Sequence, residues 1–216
     1  PYPQLLLESK DYTGFSALYG EGTTLTEPGN IWDQVLTEYC LGLRTKPVWG
    51  IATADFHKEG EAGEKLGNFP TVFLVRKKTE EEILKSLKQG RMYSCRGDID
   101  PPRLILEEFS IFAPSGSHRE LMGGEIISEG FPRIKIRVSL DARGQGEHLT
   151  LRLVRCGKLI KTFSAQSPLD MNFRDEFFNP GKRIYYRLEV NDRKNRTLVS
   201  NPIFVKFQAT ENATPQ

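Results

Sequence analysis

Cysteine is scarce in this sequence. Cys40, Cys95 and Cys156 are odd in number and far apart, which excludes a disulfide framework or a paired-cysteine metal knuckle and leaves reduced, mostly buried thiols as the expectation. No apolar run is long enough to cross a bilayer, so no membrane span is expected. Charge of one sign is also lacking: the formal net charge is +2, where a nucleic-acid partner would call for a strongly basic patch. The first residues, Pro1-Tyr2-Pro3-Gln4, carry neither an initiating Met nor the charged and apolar regions of an export signal, so the chain is expected to be cut from something longer. What is present is an ordinary globular balance, 38% hydrophobic and 27% charged with 13 Phe and 7 Tyr. A length of 216 residues allows one large domain or two small ones.

Pattern along the chain favours two. Leu5-Leu6-Leu7 reads as a short buried strand, and residues 9–29 read as a polar, Gly-rich loop. Ile31, Trp32, Val35, Leu36, Tyr39, Cys40 and Leu43 then recur on one face of an amphipathic helix. The run Val48-Trp49-Gly50-Ile51-Ala52-Thr53-Ala54 suits a strand covered on both faces, as parallel strands are. After a Gly- and Glu-rich loop, Thr71-Val72-Phe73-Leu74-Val75 reads as a second buried strand. Residues 79–89 carry the clearest helix signature: Thr79 and Glu82 as a capping box, Glu80 to Glu82 in the first turn, Lys85 and Lys88 late, and Gly90 as the stop. Met92-Tyr93-Ser94-Cys95 follows as a strand, completing an α/β rhythm.

From about Leu104 the period changes to two. Ile134, Ile136, Val138 and Leu140 alternate with polar neighbours, as do Leu149, Leu151 and Leu153. Cys156-Gly157-Lys158 can turn the chain back into Leu159-Ile160-Lys161-Thr162-Phe163 as a hairpin. Tyr186, Leu188 and Val190 alternate with Tyr185, Arg187 and Glu189, and Ile203, Val205 and Phe207 close the series. With 104–112 and 121–128, about seven strands are expected, enough for a sandwich. Residues 98–102, with two prolines, form the natural junction, and the polar tail 208–216 is expected to fray.

Asp55 and His57 are the pair that stands out chemically. Two residues apart on an extended chain, they project to the same side just past the carboxyl end of a buried strand, where parallel α/β sheets bind ligands. A carboxylate and an imidazole there suit Zn, Mn or Fe. The alternative is that Asp55 caps a turn and His57 simply packs.

Ile51-Ala52-Thr53-Ala54-Asp55-Phe56-His57, Thr71-Val72-Phe73-Leu74-Val75, Thr79-Glu80-Glu81-Glu82-Ile83-Leu84 and Gly90-Arg91-Met92-Tyr93 together resemble the closing quarter of the PHP superfamily of metal-dependent hydrolases. They are most similar to its carbaryl-hydrolase-type members, which can carry a carboxyl-terminal β-sandwich. Tyr185-Tyr186-Arg187-Leu188-Glu189-Val190 and Ser200-Asn201-Pro202-Ile203-Phe204-Val205 resemble that sandwich less specifically. The resemblance implies an α+β chain: an incomplete, PHP-like β/α barrel remnant over residues 1–100, then an all-β immunoglobulin-like sandwich over 104–207. It implies that Asp55 and His57 are metal ligands of a phosphoesterase using a divalent metal (Zn, Mn or Fe) in the complete protein. Only three His are present, and the family's opening His-x-His pair has no counterpart, so this piece alone is expected to hold little or no metal and to be inactive. The expected partner is the missing amino-terminal part of the same barrel, with self-association of the isolated piece as the other outcome.

Blander roles cover the other conspicuous residues. Trp32 and Trp49 are expected to pack in a core. Arg133, Lys135 and Arg137, with Arg152, Arg155, Lys158 and Lys161, form either a basic face for an anionic polymer or, as their alternation with core residues favours, a solvated outer face. Two functions of other classes compete with the hydrolase: a binding module built on the sandwich, and a PHP scaffold that has lost its metals.

Overall fold

The apolar triplet at 5–7 is helical. It lies in α1 (Tyr2–Glu8), with Leu6 buried and Leu5 exposed. A strand would need a ladder partner; here the carbonyls at the end of the helix are met by the buried Arg44 guanidinium, which donates to Leu6 O, Leu7 O and Ser9 O at 2.9, 3.0 and 2.8 Å. The computed structural model describes residues 2–19, 25–54, 56–58, 60, 65–97, 102–116, 118–141 and 144–209. The stretch expected as loop contains β1 (Gly14–Tyr19), in which Phe15, Ala17 and Leu18 are buried. Next comes α2 (Ile31–Cys40), whose cap Asn30 accepts from Ile31 N and which buries Trp32, Val35 and Leu36. The strand β2 (Trp49–Thr53) runs parallel to β1, and the two make a sheet of their own.

Then follow β3 (Thr71–Phe73), α3 (Glu80–Gln89) and β4 (Met92–Arg96). The boundaries of α3 obey its sequence: the Thr79 hydroxyl accepts from Glu82 N, and Gly90 closes the helix at φ 68°. Gly90 has a second reason to be glycine, since a Cβ there would lie 2.4 Å from the Trp49 ring.

The remaining strands are β5 (Leu104–Phe112), β6 (Arg119–Leu121), β7 (Glu125–Ser128), β8 (Arg133–Leu140), β9 (His148–Arg155), β10 (Lys158–Gln166), β11 (Leu169–Arg174), β12 (Arg183–Asp192), β13 (Thr197–Ser200) and β14 (Ile203–Phe207). They form two facing sheets. The smaller has the order β11-β8-β5-β6; the larger runs β10-β9-β12-β13-β4-β3, with β14 pairing both β12 and β7. The β9–β10 hairpin turns at Cys156 and Gly157, both at positive φ (45° and 74°), the geometry of a two-residue hairpin turn.

This topology overturns the expected β/α barrel remnant, and with it the seven-strand immunoglobulin-like arrangement behind it. In a barrel, β3 and β4 would run parallel to each other and to β2. Instead β3 pairs antiparallel with β4, and β4 pairs antiparallel with β13 from the far end of the chain. The strand–helix–strand rhythm of 71–96 is common to a parallel crossover and to an antiparallel pair joined by a helical excursion, so periodicity does not distinguish them. Tertiary pairing decides: Met92, Tyr93, Ser94 and Cys95 are all buried, as an interior strand of the large sheet requires. The result is a β-rich sandwich with one added layer.

That added layer explains two cores rather than one. Between the sheets lie Leu106, Phe109, Ile134, Ile136, Val138, Leu151, Leu153, Tyr186, Leu188 and Val190. On the other side of the large sheet, Met92, Tyr185, Val199 and Phe204 pack against Trp32, Val35, Leu36 and Trp49 from the amino-terminal layer. Both tryptophans are therefore core residues, with Trp32 Nε1 donating to Val48 O and Trp49 Nε1 to Lys88 O.

Candidate functional site

Parallel strands β1 and β2 end side by side, tied by a 2.5 Å hydrogen bond between the Ser16 and Thr53 hydroxyls. Of the two residues expected to ligate a metal just beyond, Asp55 lies outside the described residues. His57 is described and exposed, beside Phe56 at 38% exposure. His118 and His148 are far along the chain, in the loop before β6 and at the start of β9. Among the described residues no group of three or more His, Cys, Asp or Glu converges to hold a metal ion. No described helix is long and apolar enough to cross a membrane.

The most organised polar cluster is elsewhere, between α2 and β12. Arg187 is fully buried at 0% exposure. Its Nε and Nη2 donate to the two carboxylate oxygens of Asp33, both at 2.7 Å; Nη1 donates to Glu189 at 2.6 Å, and Nη2 also to Thr26 O at 2.7 Å. The guanidinium lies over the Trp32 ring, 5.2 Å from its centroid. Asp33 further accepts from Tyr185 Oη at 2.7 Å and from Gly29 N at 2.8 Å. Arg152 extends the chain of charge, reaching Glu189 at 3.0 Å and Glu27 at 3.2 Å. Burial would pull the Arg187 guanidinium down, but the Asp33 and Glu189 carboxylates more than offset it and hold it raised. Burial, then the Asp33 charge, push the Tyr185 phenol far up. The Arg187, Asp33, Glu189 and Tyr185 core of this set is paired and buried, and only its Arg152–Glu27 end reaches solvent, so it clamps two layers together.

Asn201 forms a second clamp. Its Nδ2 donates to Gly50 O (3.0 Å) and Met92 O (3.1 Å), and its Oδ1 accepts from Gly50 N (2.8 Å), so one buried amide serves as a ladder partner for β2 and β4. Gly50 is required at that approach: a Cβ would stand 2.7 Å from Ala17 Cβ and 3.0 Å from the Trp32 ring.

Sequence reading missed Arg187, Asp33 and Asn201. Arg187 falls on the parity of β12 opposite Tyr186, Leu188 and Val190, which an alternating strand ordinarily leaves to solvent; Tyr185, an aromatic residue on that same parity, was the available sign of a second covered face. The seven cations do not assemble into one basic face, the alternative to the favoured solvated outer face. Arg133, Lys135 and Arg137 belong to β8 in the smaller sheet, whereas Arg152, Arg155, Lys158 and Lys161 belong to β9 and β10 in the larger. Arg152 and Arg155 are held by Glu189 and Asp175.

These features define the class as a β-sandwich protein with a charge-clamped α/β layer. No family model and no curated protein matches the chain. Among solved structures, it is similar to the sensor domain of an anti-sigma factor from Pseudobacteroides cellulosolvens, at TM-score 0.32 and 14% identity, over 52% of this chain and 100% of that one. It is similar to an engineered protein at TM-score 0.29 and 12% identity, over 49% of this chain and 20% of that one. A Niemann-Pick type C2 protein from Japanese carpenter ant matches at TM-score 0.26 and 14% identity, over 51% of this chain and 98% of that one.

Proposed function

We propose that the chain is a non-catalytic interaction module, a β-sandwich whose clamped outer layer offers the β1–β2 pair to further polypeptide. The observation that carries this reading is the parallel pair itself. Parallel sheets occur almost entirely in larger assemblies with both faces covered. Here two strands stand as a separate sheet among the described residues, and Ile51, Ala52 and Thr53 remain partly exposed. Large apolar side chains are uncovered nearby in sequence: Phe56, Leu66 at 67% exposure, and Ile83, Leu84 and Leu87 of α3. The partner is the amino-terminal part of the same parent protein, which would add strands to β1; pairing of two copies of this chain is the competing occupant. Co-expression with the upstream segment of the parent reading frame tests it. A stable one-to-one complex with slowed amide exchange in β1 is expected; two non-interacting monomers in sedimentation would remove the proposal.

The position of His57 favours a second reading. It is exposed just beyond the carboxyl end of a parallel strand, the side on which α/β sheets take their ligands. In this reading the parent is a metal-dependent phosphoesterase. The chain lends Asp55 and His57 to a Zn, Mn or Fe site whose other ligands belong to the partner, and is inactive alone. Metal content and phosphoesterase activity of the whole parent should both fall in Asp55→Ala and His57→Ala variants. Unchanged metal content in both would dismiss this reading and leave the first standing.

A further inference from the structure

The solvent face of the smaller sheet has two unlike ends. At one, opposite charges meet across the strands: Arg137 is in register with Asp170, and its guanidinium lies 2.9 Å from Glu107 and 4.0 Å from Asp170. At the other, Arg133 of β8 is directly opposite Arg174 of β11. Residues opposed in an antiparallel pair share a face, and like charges so placed repel. Neither arginine has an ion-pair partner among the described residues. Arg133 is held by the preceding turn, donating to Pro114 O at 3.4 Å and lying against Gly116, where a Cβ would come 2.9 Å from Nη2. Arg174 lies over the Phe131 ring, 5.1 Å from its centroid.

Between them is an open groove of about 440 Å³ lined by Phe112, Arg133, Lys135, Asn172, Phe173 and Arg174 and by no carboxylate. Lys135 reaches out of it to Glu108 at 2.9 Å, which leaves the two arginines as its unneutralised charge. A cation pair of which one member is held by a turn and the other over an aromatic ring gains most from an oxyanion that meets both guanidinia, since arginine matches planar and tetrahedral oxyanions in two-point contact.

We propose that this groove binds an acidic saccharide of one or two residues, sulfated or uronic. The acid group sits between Arg133 and Arg174, the pyranose lies against Phe112, and a ring hydroxyl pairs with the Asn172 amide. The groove has the volume of a small-ligand site rather than of a polymer track. A nucleic-acid backbone needs cations repeated along the face, whereas here they give way at Arg137 to paired acids.

Calorimetric titration of the full chain with a sulfated disaccharide and with digalacturonate tests this, with neutral cellobiose and a single-stranded oligonucleotide alongside. At least one acidic sugar should bind, more weakly as salt rises, and the two arms separate sulfate from carboxylate as the preferred group. Arg133→Gln/Arg174→Gln should weaken binding more than tenfold without lowering the melting temperature, because it relieves the repulsion. Gly116→Ala, which keeps every charge but displaces the Arg133 guanidinium, should weaken binding severalfold. No acidic sugar binding at millimolar concentration, unchanged binding in the double variant, equal affinity for cellobiose, or preference for the oligonucleotide would each overturn the proposal.

Discussion

The two faces of the large sheet are built from different chemistry although the same strands supply both. The face toward β5 and β8 is apolar and alternates as a half-buried strand should, with Leu151, Leu153, Leu188 and Val190 pointing in. The opposite face is buried as well, yet it carries Arg187, Glu189 and Asn201 under α2 and β2. A sheet face can thus be interior without being hydrophobic, provided every buried charge and amide finds a partner. The apolar face takes its stability from area and packing, the polar face from saturation of its bonds.

Substitutions should separate these two modes. The largest loss is expected for Asp33→Ala, which removes the two-point carboxylate contact of the buried Arg187 guanidinium and leaves Glu189 as its sole carboxylate partner, and should destabilise by about 4 kcal/mol in urea titration. Replacing both partners, as Asp33→Leu with Arg187→Met, should recover most of that loss; a double variant as unstable as the single would break the comparison. On the apolar face Leu188→Ala leaves a cavity at a fully buried site and should cost about 3 kcal/mol, with no second-site rescue by a charge change. Asn201→Ala orphans Gly50 N, leaves Gly50 O only the long 3.5 Å bond from Ser94 Oγ, and should cost about 2 kcal/mol, with amide exchange at Gly50 accelerating more than that at Leu188.

The smallest effect is the acid limb. Burial raises Glu38 and Glu108, but hydrogen bonds from Lys10 and Arg44 to the first, and from Lys135 and Ser110 to the second, outweigh it. A hydrogen bond from Lys194 leads the lowering of Glu147. All three are held below the ordinary value of 4.5, so the stability they contribute is present above that pH and lost as pH falls through their folded values. Glu189 runs the other way: burial holds it raised against the pull of Arg187, so its contribution is full below its unfolded value and fades as pH rises through the folded one. Urea midpoints should therefore drop below about pH 4.5, and Glu189→Gln should flatten the curve above that pH without moving the acid limb.

Local chemistry was legible where it acts locally. The Thr79 cap and the Gly90 stop of α3, the Cys156-Gly157 hairpin turn, and the inward parity of β8 and β9 follow from a few neighbouring residues each. The strand β11 was equally readable, with Leu169, Met171 and Phe173 alternating against Asp170, Asn172 and Arg174, and was passed over. Passing it over hid the Arg133–Arg174 opposition, which exists only once β11 is laid against β8.

What the sequence determined by itself is therefore part of the inventory: the helices α2 and α3, which faces of most strands are apolar, and that Asp55 and His57 follow a strand. Tertiary structure alone decided the partners. It placed β4 beside β13 rather than in a barrel, and turned the nominally solvated side of β12 inward against α2. The physical reason is that periodicity records whether a side chain is buried, while strand direction and the identity of the covering layer depend on contacts between segments more than a hundred residues apart, such as Asp33 with Arg187 and Gly50 with Asn201.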